Sequence, residues 1–144
     1  MTSRFERDVA GSVRRDITIQ CLDSAGQSHD LDTVFSYDES DPYAVTITFL
    51  THEGDLPWTF ARSLLANGLS APTGAGDVHV CPSINDLGQA VVIIELSSPD
   101  GHLVTETHSD AAQAFLSDTF ALVPDGEERH HLALDSLIAQ LLEP

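Results

Sequence analysis

The chain has 144 residues, 42% of them hydrophobic, which suffices for one domain that builds its core without metal or disulfide staples. Acids dominate its charge: 23 Asp and Glu face six Arg and no Lys, a net of −17, which disfavours phosphate backbones and anionic membranes because both are bound through Lys and Arg. The longest apolar run, Ala90 to Ile94, falls far short of the ~20 residues of a membrane-spanning helix, and MTSRFERDVAG lacks the apolar stretch of a signal peptide, so a cytoplasmic protein with protein partners and no integral membrane segment is expected.

Residues 1–12 are polar and aperiodic and read as a flexible arm, or as the start of a strand. Four of the six arginines, Arg4, Arg7, Arg14 and Arg15, cluster in the first fifteen residues; the other 129 residues hold two Arg against 21 acids, a net of −19. From Ser12 the pattern has period two: Ile17, Ile19 and Cys21 share one face of a strand, Asp16, Thr18 and Gln20 the other. SAGQS turns the chain, and Leu31, Thr33 and Phe35 alternate with Asp32, Val34 and Ser36 in a second strand. After DESDP, Tyr43, Val45, Ile47 and Phe49 line one face of a third, rich in β-branched and aromatic residues. HEGD is a hairpin turn and LPWTF a fourth strand.

FARSLLANGL changes period. Ala61, Leu64 and Leu65 have helical spacing, Asn67-Gly68 supplies a left-handed exit, and Pro72 marks the stop. SAPTGAGD is a loop. Val78 and Val80 open a fifth strand that Pro82 closes; NDLG turns; GQAVVIIELS is apolar on both faces, as a central strand covered on both sides would be. SPDG is a turn with Pro second and Gly fourth, and HLVTETH alternates weakly as a seventh strand. In SDAAQAFLSDTF, Ser109 is placed to cap a helix, Asp110 complements its dipole, and Ala111, Ala114 and Phe115 form its apolar face. HHLAL offers one more short strand. Asp135 then caps a last helix striped by Leu137, Ile138, Leu141 and Leu142. Seven or eight strands in neighbouring order, with about three helices, give an α+β fold of antiparallel sheets, because parallel strands would need a helix between each pair.

Few residues offer chemistry. PTGAGD (Thr73, Gly74, Gly76, Asp77) resembles a phosphate loop but has no Lys and is followed by a strand, so it reads as a turn needing positive φ. Glu127, Glu128, His130 and His131 match no zinc spacing and read as a solvated acidic turn. Cys81 shares a strand face with His79, and a small hydrolase is conceivable there, but nearness without an oriented base is weak evidence, and a core or edge thiol is the simpler reading. Trp58 reads as a packing anchor between helix and sheet. Arg62, one of only two arginines against 21 acids beyond residue 15, reads as a structural ion pair, with a partner contact as the alternative. No catalytic residue, metal site or cofactor is assigned.

The run from Asp41 to Pro82 carries more. DPYAV, then Phe49 and Thr51, then W-x-FAR-x-LL-x-x-GL-x-x-PTG-x-GDV-x-V-x-P, together with LSSPDG and a C-terminal H-x-x-LD ahead of an amphipathic helix, resembles the SsgA-like family of sporulation and cell-division regulators of filamentous actinobacteria. The similarity spans residues 13–142, which suggests an arm of residues 1–12 and one SsgA-like domain over 13–144. The resemblance carries the motif positions Asp41, Pro42, Tyr43, Trp58, Phe60, Ala61, Arg62, Leu65, Gly68, Pro72, Gly74, Gly76 and Asp77, most of them with structural roles.

The resemblance implies a non-enzymatic protein without cofactor. It also implies a fold like the Whirly-type single-stranded nucleic acid binders and a bell-shaped homotrimer. The implied partners are division proteins such as the tubulin-like GTPase FtsZ and other SsgA-like proteins, met at division septa. Because FtsZ is acidic in most bacteria, Arg4, Arg7, Arg14 and Arg15 are candidate contacts; an arm that only aids solubility or joins the first strand is the other reading. The fold analogy points to single-stranded nucleic acid, but stacking platforms come with basic grooves, and a body of net −19 opposes that function.

Overall fold

The computed structural model describes residues 11–142, without the side chains of 131–136. Eight strands and three helices follow in chain order: β1 Ser12–Leu22, β2 Ser28–Asp38, β3 Ala44–Thr51, β4 Gly54–Ala61, α1 Arg62–Gly68, β5 Thr73–Ala75, β6 Val78–Ile84, β7 Ala90–Ser98, β8 Gly101–His108, α2 Ser109–Leu122 and α3 Glu128–Leu142. The strands form one antiparallel sheet in the order β4-β3-β2-β1-β8-β7-β6-β5, the α+β class expected. Two four-stranded meanders, each followed by a helix, thus meet along β1 and β8. That seam is short: only Gln20–Leu22 pairs with Val104–Glu106. Beyond it the halves diverge, and α2 packs against β1, β7 and β8.

The alternation in the sequence sets the register. Ile17 faces Thr33 and Thr33 faces Phe49, while Val45 faces Phe60; these side chains share the inner face. The second half matches, with Val80 opposite Ile94 and Ile94 opposite Thr105. The inner face is closed by Leu64 and Leu65 of α1 and by Phe115 and Leu116 of α2, all buried. Phe115 meets Phe35 edge-on, at 5.5 Å between ring centroids, the geometry favoured by aromatic quadrupoles. Two buried threonines are satisfied by cross-strand carbonyls, Thr33 donating to Ile17 at 2.7 Å and Thr105 to Ile94 at 2.9 Å.

Several local expectations are corrected. Gly68 does not leave α1 in a left-handed turn: it is the last helical residue, and Leu69 continues with φ −72°. It is glycine because of tertiary packing, since a Cβ there would stand 2.2 Å from Val80 Cγ1. Part of the PTGAGD loop is β5; only Gly76 has positive φ, 60°, while Gly74 makes room for the His79 ring. Pro82 does not close β6, which runs to Ile84; it lies past the end of β5, where β6 has a neighbour on one side only and a missing N–H is tolerated. β7 is an interior strand paired with both β6 and β8, one place from the β1–β8 middle of the sheet. Its outer-face Val91 is buried, opposite His108 where the chain turns into α2.

Tyr43 leaves the alternation because Asp41–Ala44 turns, Ala44 N–H reaching Asp41 O at 3.3 Å, and it is exposed. Ser109 is the first residue of α2 and makes no cap; the cap position is His108, without a side-chain bond. The buried face of α2 is Ala112, Phe115, Leu116 and Thr119, with Ala111 and Ala114 at its margins. HHLAL is not a strand: α3 begins at Glu128 and passes through it, so Asp135 is interior rather than a cap.

Gly68→Ala is therefore expected to destabilise the protein by about 1–3 kcal/mol, the usual cost of overpacking, although alanine is the better helix former by about 1 kcal/mol. Urea denaturation of Gly68→Ala, and of the same variant with Val80→Ala, checks this. Little recovery is predicted in the double variant, because alanine at position 80 keeps the Cβ that stands 2.5 Å from the added methyl; a single variant as stable as the parent would show that Val80 yields freely.

Candidate interaction surfaces

The motif residues from Asp41 to Asp77 converge on architecture. Pro42 is buried and its carbonyl accepts the Tyr37 hydroxyl at 2.9 Å. The Tyr43 carbonyl accepts the Arg62 N–H at 2.7 Å, and Ala61 pairs with Ala44. Phe60 and Leu65 are in the core, and Trp58 packs half-buried against it. Asp77 O accepts Ser97 N–H at 2.9 Å. Asp41 and Pro72 are exposed.

Arg62 is the centre of this region and only 2% exposed. Its Nη1 donates to the carbonyls of Thr119 at 3.1 Å and Val123 at 2.8 Å; Thr119 O also accepts the Val123 N–H at 2.9 Å, and Val123 lies just past the last residue of α2, where carbonyls lack intrahelical donors. Its Nη2 donates to Glu128 Oε2 at 2.8 Å. The guanidinium lies 4.1 Å from the Phe120 ring centroid and 4.9 Å from that of Tyr37, a stacked arrangement suited to arginine rather than lysine. One side chain thus joins α1, the end of α2 and the start of α3. Burial pushes the Tyr37 hydroxyl up to about 12, against the opposing pull of Arg62.

Burial also pushes the Glu128 carboxyl up, but the Arg62 hydrogen bond, with backbone N–H groups including that of Gly126, outweighs it and holds the group below the ordinary glutamate value of 4.5. A lowered folded-state pKa means that the pair stabilises fully above that ordinary value and loses its contribution as pH falls through the folded-state value. The stability difference between the parent and Glu128→Gln should therefore shrink as denaturation is repeated from pH 7 down to pH values below about 4. A difference that stays constant across that range would contradict the ion pair.

The outer sheet face is acidic. Asp16, Asp30, Asp32, Glu95 and Glu106 share it by register, and Arg14 lies among them. Thr18 and Gln20 donate to Asp32 and Asp30. Arg15 is on the inner side, bound to Asp118 of α2 at 2.9 Å; Arg14 is exposed. Both belong to β1, while Arg4 and Arg7 lie outside the described residues. Cys81 and His79 share the outer face, but among the described residues no hydrogen bond joins them, and no group of three or more His, Cys, Asp or Glu is placed to hold a metal. No described helix is long and apolar enough to cross a membrane.

Large apolar side chains stand in solvent at two places above all. On α3, Leu137, Ile138, Leu141 and Leu142 are between 44% and 78% exposed. At the β6–β7 hairpin, Ile84 and Leu87 are 70% and 81% exposed. Sequence reasoning singled out the first stripe and missed the hairpin pair. It also missed Tyr37, Phe120 and Glu128 as partners of Arg62, for which a lone arginine inside the apolar run FARSLL was the available signal.

These features define an acidic α+β sheet protein with a buried arginine that joins three helices and with exposed apolar side chains on α3 and at the β6–β7 hairpin. The chain belongs to the SsgA family: the family described as Streptomyces sporulation and cell division protein, SsgA, matches residues 31–128. Several relatives carry the name sporulation-specific cell division protein SsgB. The chain is 50% identical to that of Streptomyces coelicolor over 107 residues, 74% of this chain and 77% of the relative. It is 41% identical to that of Kineococcus radiotolerans over 128 residues, 88% and 78% of the two chains. The crystal structure of an SsgA-like sporulation-specific cell division protein from Thermobifida fusca is similar with a TM-score of 0.84 at 32% identity, over 94% of this chain and 100% of the other.

Proposed function

We propose that this chain is a non-enzymatic adaptor in sporulation-specific cell division, concentrated at septa, where it helps recruit or position the FtsZ machinery alongside other SsgA-like proteins. The observation that carries the reading is the family match over residues 31–128 on a sheet whose outer face gathers Asp16, Asp30, Asp32, Glu95 and Glu106. Such a face repels phosphate. It therefore favours a protein partner over the alternative function, single-stranded nucleic acid binding. Residues 13–144 act in this reading as one unit, with residues 1–12 as its arm up to Ser12, where β1 begins.

Copies carrying −17 each repel one another, so self-association needs a neutral patch. Residues 137–142 of α3 carry no charge and expose four aliphatic side chains; this stripe is the proposed contact in a homotrimer. Arg14, exposed and at the edge of the arm, is with Arg4 and Arg7 the proposed complement to an acidic partner surface.

Three measurements test the reading. Fluorescence anisotropy with single-stranded oligonucleotides at low salt should show no binding, and micromolar affinity that weakens with salt would overturn it. Light scattering should return a trimer mass, and a monomer at micromolar concentration would remove the α3 contact. Changing Arg4, Arg7 and Arg14 to Glu should weaken FtsZ recruitment; unaltered recruitment and salt dependence place the contact elsewhere on the body.

A further inference from the structure

The root of α3 is held by the body, and its last turns stand clear of it. The Glu128 side chain is 13% exposed, and both of its oxygens are taken. Oε2 accepts Arg62 Nη2 at 2.8 Å and Oε1 accepts the Gly126 N–H at 3.0 Å. From Leu137 to Leu142 every residue is exposed, Ala139 and Gln140 as well as the four aliphatics. The whole circumference of the helix is in solvent there, whereas α2 buries Ala112, Phe115, Leu116 and Thr119 along its length.

The grip on the root is stiff. Before Arg62 reaches Glu128, its guanidinium is already fixed by the carbonyls of Thr119 and Val123 and by the rings of Tyr37 and Phe120. The carboxylate therefore meets a donor of set position and plane. Root and tip are far apart. From Glu128 to Leu142 the helix rises about 21 Å, so a tilt of about 10° at the root carries the tip through about 4 Å. Aliphatic contacts do not survive such a shift, because a gap of about 1 Å already forfeits up to half of their attraction.

We propose that the Arg62–Glu128 pair is a latch that aims α3, and that self-association through the α3 stripe depends on it. The proposal deepens the homotrimer reading and rests on it. Arg62 and Glu128 are positioning residues, for Arg62 is only 2% exposed and meets no other copy; Leu137, Ile138, Leu141 and Leu142 make the contact. With the latch intact, α3 is already ordered before copies meet. With the latch broken, its direction spreads, and restoring that order becomes part of the cost of association.

The test compares four full-length chains at pH 7, each shown to be folded by circular dichroism: the parent, Glu128→Gln, Gly68→Ala and Leu141→Ser/Leu142→Ser. Glu128→Gln keeps the shape and an oxygen acceptor but removes the charge. Gly68→Ala loses stability at a site that faces Val80 rather than α3. Sedimentation equilibrium should show the dissociation constant of self-association raised about tenfold or more in Glu128→Gln, unchanged in Gly68→Ala, and self-association lost in the double leucine variant. In that monomeric background, nitrogen-15 relaxation should show that adding Glu128→Gln lowers the order of α3 amides while strand amides keep theirs. If Glu128→Gln assembles as the parent does, or leaves α3 equally ordered, the latch is overturned and the homotrimer reading stands. Equal weakening in Gly68→Ala also overturns the latch, because assembly then follows overall stability. A monomeric parent, or a double leucine variant that still assembles, removes the α3 contact and this proposal with it.

Discussion

Arg62→Ala is expected to lower the unfolding free energy by about 3–5 kcal/mol, the usual consequence of removing one member of a buried ion pair. The Val123 carbonyl loses its guanidinium donor, the Thr119 carbonyl keeps only the Val123 N–H, Glu128 loses its cation, and the faces of Tyr37 and Phe120 lose their packing partner. For a domain of ordinary stability, about 5–15 kcal/mol, that is a large share, and thermal melting should shift by on the order of 10 °C. Arg62→Lys should recover little, because an ammonium lacks the planar fork that serves two carbonyls and a carboxylate together. The double variant Arg62→Ala/Glu128→Ala should lose less than the sum of the two single losses, since no uncompensated carboxylate then remains. Strict additivity in a denaturation cycle would show that the two side chains do not act as a pair.

Phe115→Ala should cost a similar amount, about 3–5 kcal/mol, for a different reason. Phe115 is fully buried and stands edge-on to Phe35. It fixes α2 where β1 and β8 share only a short seam. Truncation leaves a cavity between helix and sheet that the rigid β2–β1–β8 backbone cannot close. Phe115→Leu should recover more than half of the loss. Hydrogen exchange should show the excess opening concentrated in α2 and in β1 residues before Gln20, whereas uniform loss of protection would mean that α2 is not a separate brace.

What was legible in the sequence was what depends on local period. Ile17 and Ile19, then Val45, Ile47 and Phe49, face inward as their alternation required. The HEGD and NDLG turns lie where their residues placed them. Errors arose where tertiary contact decides. Gly68 satisfied a helix-exit pattern but is required by Val80, twelve positions on in the chain. The apolar run HHLAL is too short for its period to separate strand from helix, and α3 runs through it. β5 has three residues, two with no side chain beyond a methyl. The side-chain partners of Arg62 come from three separate segments, β2, the end of α2 and the start of α3.

The central claim is that this member of the SsgA family acts through protein contacts rather than through nucleic acid. Sedimentation velocity of the full chain, run in parallel with FtsZ and with a single-stranded oligonucleotide at low salt, tests it most directly. The account predicts a faster boundary containing both proteins in the first cell and an unshifted oligonucleotide in the second. Co-sedimentation with the oligonucleotide, and none with FtsZ, would contradict it.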